Sequence, residues 1–246
     1  VGEGCSASMY NLNGCFVSAG HCYIVPGTLA AFRKPLSMNN CCRNVSAVAD
    51  QFPVTMTTAD TTGCYPDWRV GKLGMNTNGQ TPFQVYGPSS VKPLATAPPP
   101  VNGQIDIFGY GKSSIPVVNG VQQQTTELIT SVGANYMTYS GGTTTGGTSG
   151  AGIVYANQIV GINTCCGAPC TGIGSRIDQP AFVMARQLMC PHTVHTLWDK
   201  GFCLNQNSVT VPVTICNTTS TTDSYTLTFA PVAPGPACGV PGPTGY

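Results

Sequence analysis

Phe16-Val17-Ser18-Ala19-Gly20-His21-Cys22 carries one of the three histidines of a 246-residue chain, and the reading of the fold starts from it. Two further stretches follow it in order: Pro66-Asp67-Trp68-Arg69-Val70-Gly71-Lys72-Leu73, then Gly146-Gly147-Thr148-Ser149-Gly150-Ala151-Gly152. His21 and Asp67 are 46 residues apart, and Asp67 and Ser149 are 82 apart. Singly, each is ordinary. A lone histidine sits satisfied in a core, a lone aspartate turns a loop, and G-T-S-G arises in any Gly/Thr-rich segment. Together they supply an imidazole, a carboxylate and a hydroxyl, the set that nucleophilic acyl transfer needs. A serine hydroxyl is a poor nucleophile near neutral pH. An imidazole with a pKa of about 6.5 takes its proton and returns it to the leaving group. A buried carboxylate holds that imidazole in one tautomer.

Outward from these stretches the text is β almost throughout. Short runs of Val, Ile, Thr and Tyr alternate with Gly, Pro, Asn and Ser. Gln104-Ile105-Asp106-Ile107-Phe108-Gly109-Tyr110 is one such strand. Gly150-Ala151-Gly152-Ile153-Val154 returns after Ala156-Asn157 as Gln158-Ile159-Val160-Gly161-Ile162, which predicts a hairpin. Residues 87–103 contain five prolines and read as an extended linker between two β halves. One helix is expected after Asp178, its cap, with Pro180 in the first turn and Ala181, Met184, Ala185 and Leu188 on one face. After Trp198 two alternating runs, Val209-Val211-Val213-Ile215 and Tyr225-Leu227-Phe229, precede a Pro/Gly-rich end. They read as a β extension. The expected division is residues 1–86, a first β half; 87–103, a linker; 104–198, a second β half with its helix; and 199–246, the extension, a packed addition or a domain cut short.

Composition removes several classes. Charged residues are 8% of the chain, against a typical ~25%. Ten basic and nine acidic side chains nearly cancel, so the basic excess of a nucleic-acid binder is missing. No apolar run approaches the ~18 residues of a membrane span. Thirteen cysteines with no C-x-x-C pair argue against a zinc ribbon and for disulfides, hence a secreted, extracellular protein. The six before residue 100 are able to close on themselves as three bridges, leaving the odd one in the second half. Val1-Gly2-Glu3-Gly4-Cys5 has no basic start or apolar core, so it does not read as a signal peptide, and the chain reads as a mature or trimmed product. His192, His195 and Asp199 have helical spacing, but Pro191 interrupts the run, and they read as a solvated patch with no metal.

The three stretches, over roughly residues 5–190, resemble the chymotrypsin-like (trypsin-fold) serine peptidases, nearest the compact bacterial, glutamyl-endopeptidase-like members. In that family they read [ST]-A-[AG]-H-C, D-[hydrophobic]-x-[LV]-x-[KR]-L and G-[DNT]-S-G. The resemblance implies an all-β chain of two six-stranded β-barrels with a C-terminal helix, here followed by the β extension. It implies a triad of His21 (base), Asp67 and Ser149 (nucleophile), and an oxyanion hole from the N–H groups of Gly147 and Ser149. It also implies a Cys5–Cys22 bridge fixing the histidine loop. Gly147 suits the backbone that turns its N–H inward, and Gly150 permits close approach behind the nucleophile.

By the same resemblance, the base of the first specificity pocket lies near Thr143. One wall is Gly161-Ile162-Asn163-Thr164-Cys165, with Asn163 and Thr164 as substrate-binding candidates whose strand edge pairs with substrate backbone. Glutamyl-specific relatives place a histidine at Asn163, and trypsin-like ones an aspartate near Thr143. Neither is present, so a Lys or Arg P1 residue is disfavoured and a polar, uncharged or small one expected. Thr148 stands where trypsin-like enzymes carry the aspartate that receives a new N-terminus, which excludes that switch. The expected activity is hydrolysis of peptide bonds in a protein or peptide substrate through an acyl-enzyme, with no cofactor. The alternative is a non-catalytic binding or structural protein on the same fold. In that alternative the extension is the working part; in the enzyme it is a candidate tether to a surface or a larger polypeptide.

Overall fold

The computed structural model describes residues 4–37, 44–62, 65–141, 145–167 and 171–190. All lie in the first of the two units into which the chain divides, Val1–His192.

Apolar residues from five strands build the first half. In β1 (Ser8–Met9), β2 (Cys15–Ser18), β3 (Leu29–Ala31), β4 (Gln51–Thr61) and β5 (Asp67–Leu73), the buried residues Met9, Phe16, Ala30, Phe52, Val54, Trp68, Val70 and Leu73 meet in one core. The strands pair antiparallel in the order β1-β2-β5-β4-β3, with Val17 opposite Val70 and Val70 opposite Thr58. Gly71 is required by packing: a β-carbon there would lie 2.4 Å from the Phe16 ring. Among the described residues β1 and β3 do not pair, and this half is a curled five-stranded half-barrel, in keeping with the expected double barrel.

The second half closes. β6 (Gln104–Gly109), β7 (Gln123–Val132), β8 (Tyr136–Tyr139), β9 (Gly152–Tyr155), β10 (Gln158–Gly167) and β11 (Thr171–Arg176) form a six-stranded barrel in the order β10-β11-β8-β7-β6-β9. Ile105, Ile107, Ile129, Met137, Tyr139, Ile153 and Val160 fill it. Closure pairs every strand on both sides, so no edge is left. The β9–β10 hairpin turns at Ala156 and Asn157, whose φ values of 46° and 66° match the primed two-residue turn that favours Asn.

The linker is more structured than an extended spacer. A short helix, α1 (Pro82–Tyr86), precedes it and ends at Gly87; Thr81 and Gln84 make its reciprocal capping box. Leu94 then bridges to Ile159. Ile159 and Ile162 on β10 join the first core, so the two halves share apolar surface.

The C-terminal helix, α2 (Pro180–Met189), forms where expected but turns another face inward. Phe182 and Arg186 are buried, while Ala181, Met184 and Leu188 are exposed. Two anchors set this rotation. Phe182 meets Trp68 edge-on at 5.5 Å, and Cys190 is bonded to Cys15. Asp178 does not cap the helix; its carboxylate accepts from Arg176 at 2.5 and 3.0 Å, and Gln179 is the N-cap. Cys15–Cys190 also corrects the expectation of three self-contained bridges in the first half, because Cys15 is spent on the helix end. The β extension after Trp198 lies outside the described residues.

Candidate active site

β2 ends at Ser18, and the chain turns through residues 19–24 over the end of β5, where Asp67 begins the strand. Asp67 is fully buried. Its Oδ1 accepts the His21 backbone N–H at 2.7 Å and its Oδ2 lies 2.5 Å from His21 Nδ1. A carboxylate only accepts, so Nδ1 carries the proton in this contact, and in the neutral ring Nε2 is the unprotonated nitrogen. The His21 side chain is 45% exposed, open to an incoming group. The Asp67 N–H donates to Ser175 Oγ at 2.9 Å, which ties the first half to β11. Gly20 has no alternative residue: a β-carbon would lie 2.0 Å from Asp60 O and 2.7 Å from Asp67 Oδ1.

Arg69 is the next residue on the same face of β5 (period two along a strand). Its Nη1 donates to Ile24 O at 2.9 Å and to Thr57 Oγ1 at 3.0 Å, and its Nη2 to Gly20 O at 3.0 Å. Asp67 and Arg69 therefore grip the histidine loop at its middle and at both ends. Burial pushes the Arg69 guanidinium below its ordinary pKa, and nearby Asp67 partly offsets that.

The nucleophile candidate arrives from the other half. Ser149 O accepts the Ser6 N–H at 2.7 Å, and Cys22 Sγ lies 3.8 Å from it. The Cys5–Cys22 disulfide thus sits against Ser149, next to His21. Gly147 and Gly150 have φ of 103° and 89°, where a side chain is strained. At Gly150 a β-carbon would also lie 2.1 Å from Ser6 O and 2.3 Å from Ser18 Oγ. Ser6 Oγ donates to Gly147 O at 2.7 Å and accepts from Tyr110 N at 2.9 Å, so one serine bridges both halves. The N–H groups of Gly147 and Ser149 have no acceptor among the described residues. Preplaced, unspent donors of this kind are what an oxyanion needs. The Ser149 hydroxyl has no hydrogen bond among the described residues, so the structure joins His21 to Asp67 and brings Ser149 beside them through its backbone. Such contacts are often loose without substrate and tighten in the complex.

Of the pocket candidates, Asn163 is buried, with its side-chain amide on Thr148 and Tyr139. Thr164 Oγ1 donates to Ile173 O at 3.2 Å. Thr143 lies outside the described residues, as do His192, His195 and Asp199. Cys5, Cys22 and His21 offer atoms within 4.8 Å of one another, the spacing of a metal site. The two sulfurs are bonded to each other, which leaves one imidazole as donor. Sequence reasoning gave no role to Arg69, Ser6 or Ser175. Only Arg69 had a local signal, a charge two residues from Asp67 on a strand that otherwise reads as buried.

A closed six-stranded barrel, a curled partner sheet and a histidine–aspartate pair at their seam define the chymotrypsin-like double-barrel fold. Solved structures agree. A thermostable serine protease, AL20, from an extremophilic microorganism is similar with a TM-score of 0.59 at 15% identity, covering 76% of this chain and 91% of that one. A Glu endopeptidase solved with MPD is similar at 0.55 and 18% identity, covering 76% and 86%. A point mutant of human heparin binding protein (CAP37) is similar at 0.55 and 13% identity, covering 77% and 87%. No family model matches the sequence, and no curated protein does.

Proposed function

We propose that the chain is a serine endopeptidase working through an acyl-enzyme. The observation that carries this is the buried Asp67 carboxylate on His21 Nδ1, with the Ser149 turn docked on the adjoining Cys5–Cys22 bridge. His21 Nε2 takes the Ser149 proton as Oγ attacks the scissile carbonyl. The oxyanion forms towards the Gly147 and Ser149 N–H groups. The leaving amine departs with the His21 proton, leaving the ester on Ser149. Water, deprotonated by His21, then attacks that ester, and the proton returns to Oγ as the acid leaves. The disulfides support an oxidising, extracellular compartment. The preferred P1 residue is polar, uncharged or small. A cleavage profile over a peptide library dominated by Lys or Arg would contradict that preference.

A binding role is the second reading, favoured by the likeness to a protein named for binding heparin. Ten basic against nine acidic residues give this chain little attraction for a polyanion. A fluorophosphonate probe separates the two. Labelling of Ser149 that vanishes in Ser149→Ala, with peptide hydrolysis reduced about 10⁶-fold in kcat, supports the peptidase. A folded sample that resists the probe supports the binding role.

A further inference from the structure

The turn that presents Ser149 contains glycine at 146, 147 and 150, a composition that is loose by itself. Its donors must nonetheless be held in one direction; within the turn Thr148 N–H donates to Thr145 O at 3.0 Å and Ala151 N–H to Thr148 O at 2.9 Å, and contacts from outside the turn add to these. We propose that Asn163 is the positioning residue that locks this turn, with Tyr139 as its support. The inference rests on the reading of Ser149 as nucleophile.

Asn163 is 3% exposed and grips three residues of the turn. Its Nδ2 donates to Thr148 O at 3.0 Å and lies 3.3 Å from Thr148 Oγ1. Its backbone carbonyl accepts the Gly150 N–H, and its N–H donates to Ala151 O, both at 2.8 Å. The contact to Thr148 O has a direct consequence. A trans peptide is planar, with C=O and N–H pointing opposite ways. Fixing Thr148 O therefore fixes the Ser149 N–H, one of the two oxyanion donors. Thr148 Oγ1 donates to Thr145 O at 2.6 Å and tightens the same turn.

Tyr139 holds the amide from behind. Its hydroxyl donates to Asn163 Oδ1, while the Thr148 carbonyl, which only accepts, requires the Nδ2 end of the amide to face it. The ring is fully buried in the closed barrel and lies against Gly172, where a β-carbon would be 2.0 Å from it. Both polar ends of the Asn163 side chain are thus committed inside the protein. That assigns Asn163 to the machinery of catalysis and not to reading the P1 side chain. It also gives the chain an internal lock where trypsin-like enzymes use an aspartate and a new N-terminus.

The test compares the wild-type chain with Asn163→Leu and Tyr139→Phe. Each is measured for the labelling rate of Ser149 by an alkyl fluorophosphonate, which has no P1 side chain. Each is also measured for kcat and KM on peptides differing only at P1, with melting temperature as the check on folding. For Asn163→Leu we expect labelling and kcat to fall about 10²–10³-fold, the loss of one oxyanion donor, by one factor for every P1 and with KM nearly unchanged. For Tyr139→Phe we expect the same pattern at about tenfold. A folded Asn163→Leu that labels at the wild-type rate overturns the proposal. So does a loss that falls on KM and varies with P1, which would make Asn163 a pocket residue. If Asn163→Leu does not fold, Tyr139→Phe decides alone: a uniform fall supports the lock, and wild-type rates overturn it. A folded wild-type chain that is never labelled removes the peptidase reading itself, and the lock with it.

Discussion

Asp67 stands on an open five-stranded sheet with His21 on the loop after β2, and Ser149 stands on a turn of a closed six-stranded barrel. The two halves reach rigidity by different means. The barrel pairs all its strands and surrounds Ile105, Ile107, Ile129 and Tyr139. The open sheet leaves β1 and β3 unpaired to each other, and both described disulfides attach to it. Cys5–Cys22 pins the histidine loop, and Cys15–Cys190 ties β2 to the end of α2. Among the described residues, the covalent staples stand where hydrogen-bond closure is incomplete. His21 is held, among the described residues, by a bridge and by ion-dipole contacts, and the Ser149 turn chiefly by a network of neutral hydrogen bonds.

Four variants break or sharpen that contrast. Asp67→Asn strikes the base side at its centre and is expected to lower kcat about 10⁴-fold by imposing the wrong imidazole tautomer. An active Asp67→Asn enzyme would mean that the His21–Asp67 contact is structural only. Cutting Cys15–Cys190 by double substitution to Ala comes next. In the chain-entropy picture a bridge spanning 175 residues contributes about 5 kcal/mol to stability. Hydrogen exchange should then quicken in β2 and β5 before β6–β11; equal loss in both halves would break the comparison. Cys5–Cys22 spans 17 residues, and its double substitution should cost about 3 kcal/mol, read from denaturant unfolding, together with a fall in kcat. Removing a bridge beside His21 without any change in kcat would make it a fastener of the fold alone. The smallest effect is that of Arg69→Met, which frees Gly20 O and Ile24 O. Displacement of the histidine loop is expected to cost about 10²-fold in kcat with KM unchanged, and Arg69→Lys should recover part of it. A folded Arg69→Met with wild-type kcat would show that Asp67 holds the loop unaided.

What was legible in the sequence was local or motif-borne. The turn at Ala156-Asn157 is there because Asn tolerates positive φ, and α2 starts at Pro180 because proline suits a first helical turn. His21 and Asp67 were marked by flanking residues that the fold requires, among them Gly20 and Gly71. The rest depended on contacts made at long range. Nothing near Cys15 indicates a partner 175 residues away. The buried face of α2 follows from Trp68 and Cys15, not from its own periodicity, so Met184 and Leu188 misled. Asn163 was weighed by its position beside a pocket, and its inward contacts with Thr148 and Tyr139 belong to the closed barrel. The capping box of Thr81 and Gln84 was a local signal for α1 that passed unread.

Gly150 leaves about two ångströms of room for a β-carbon between the nucleophile turn and the first half, at Ser6 O and Ser18 Oγ. Backbone and one short serine side chain meet there, which leaves no long side chain to act as a spring. Any drift of one half from the other must carry the serine away from the imidazole in proportion. If Ser149 is the nucleophile, as proposed, its labelling rate would then double as a gauge of the separation of the two halves.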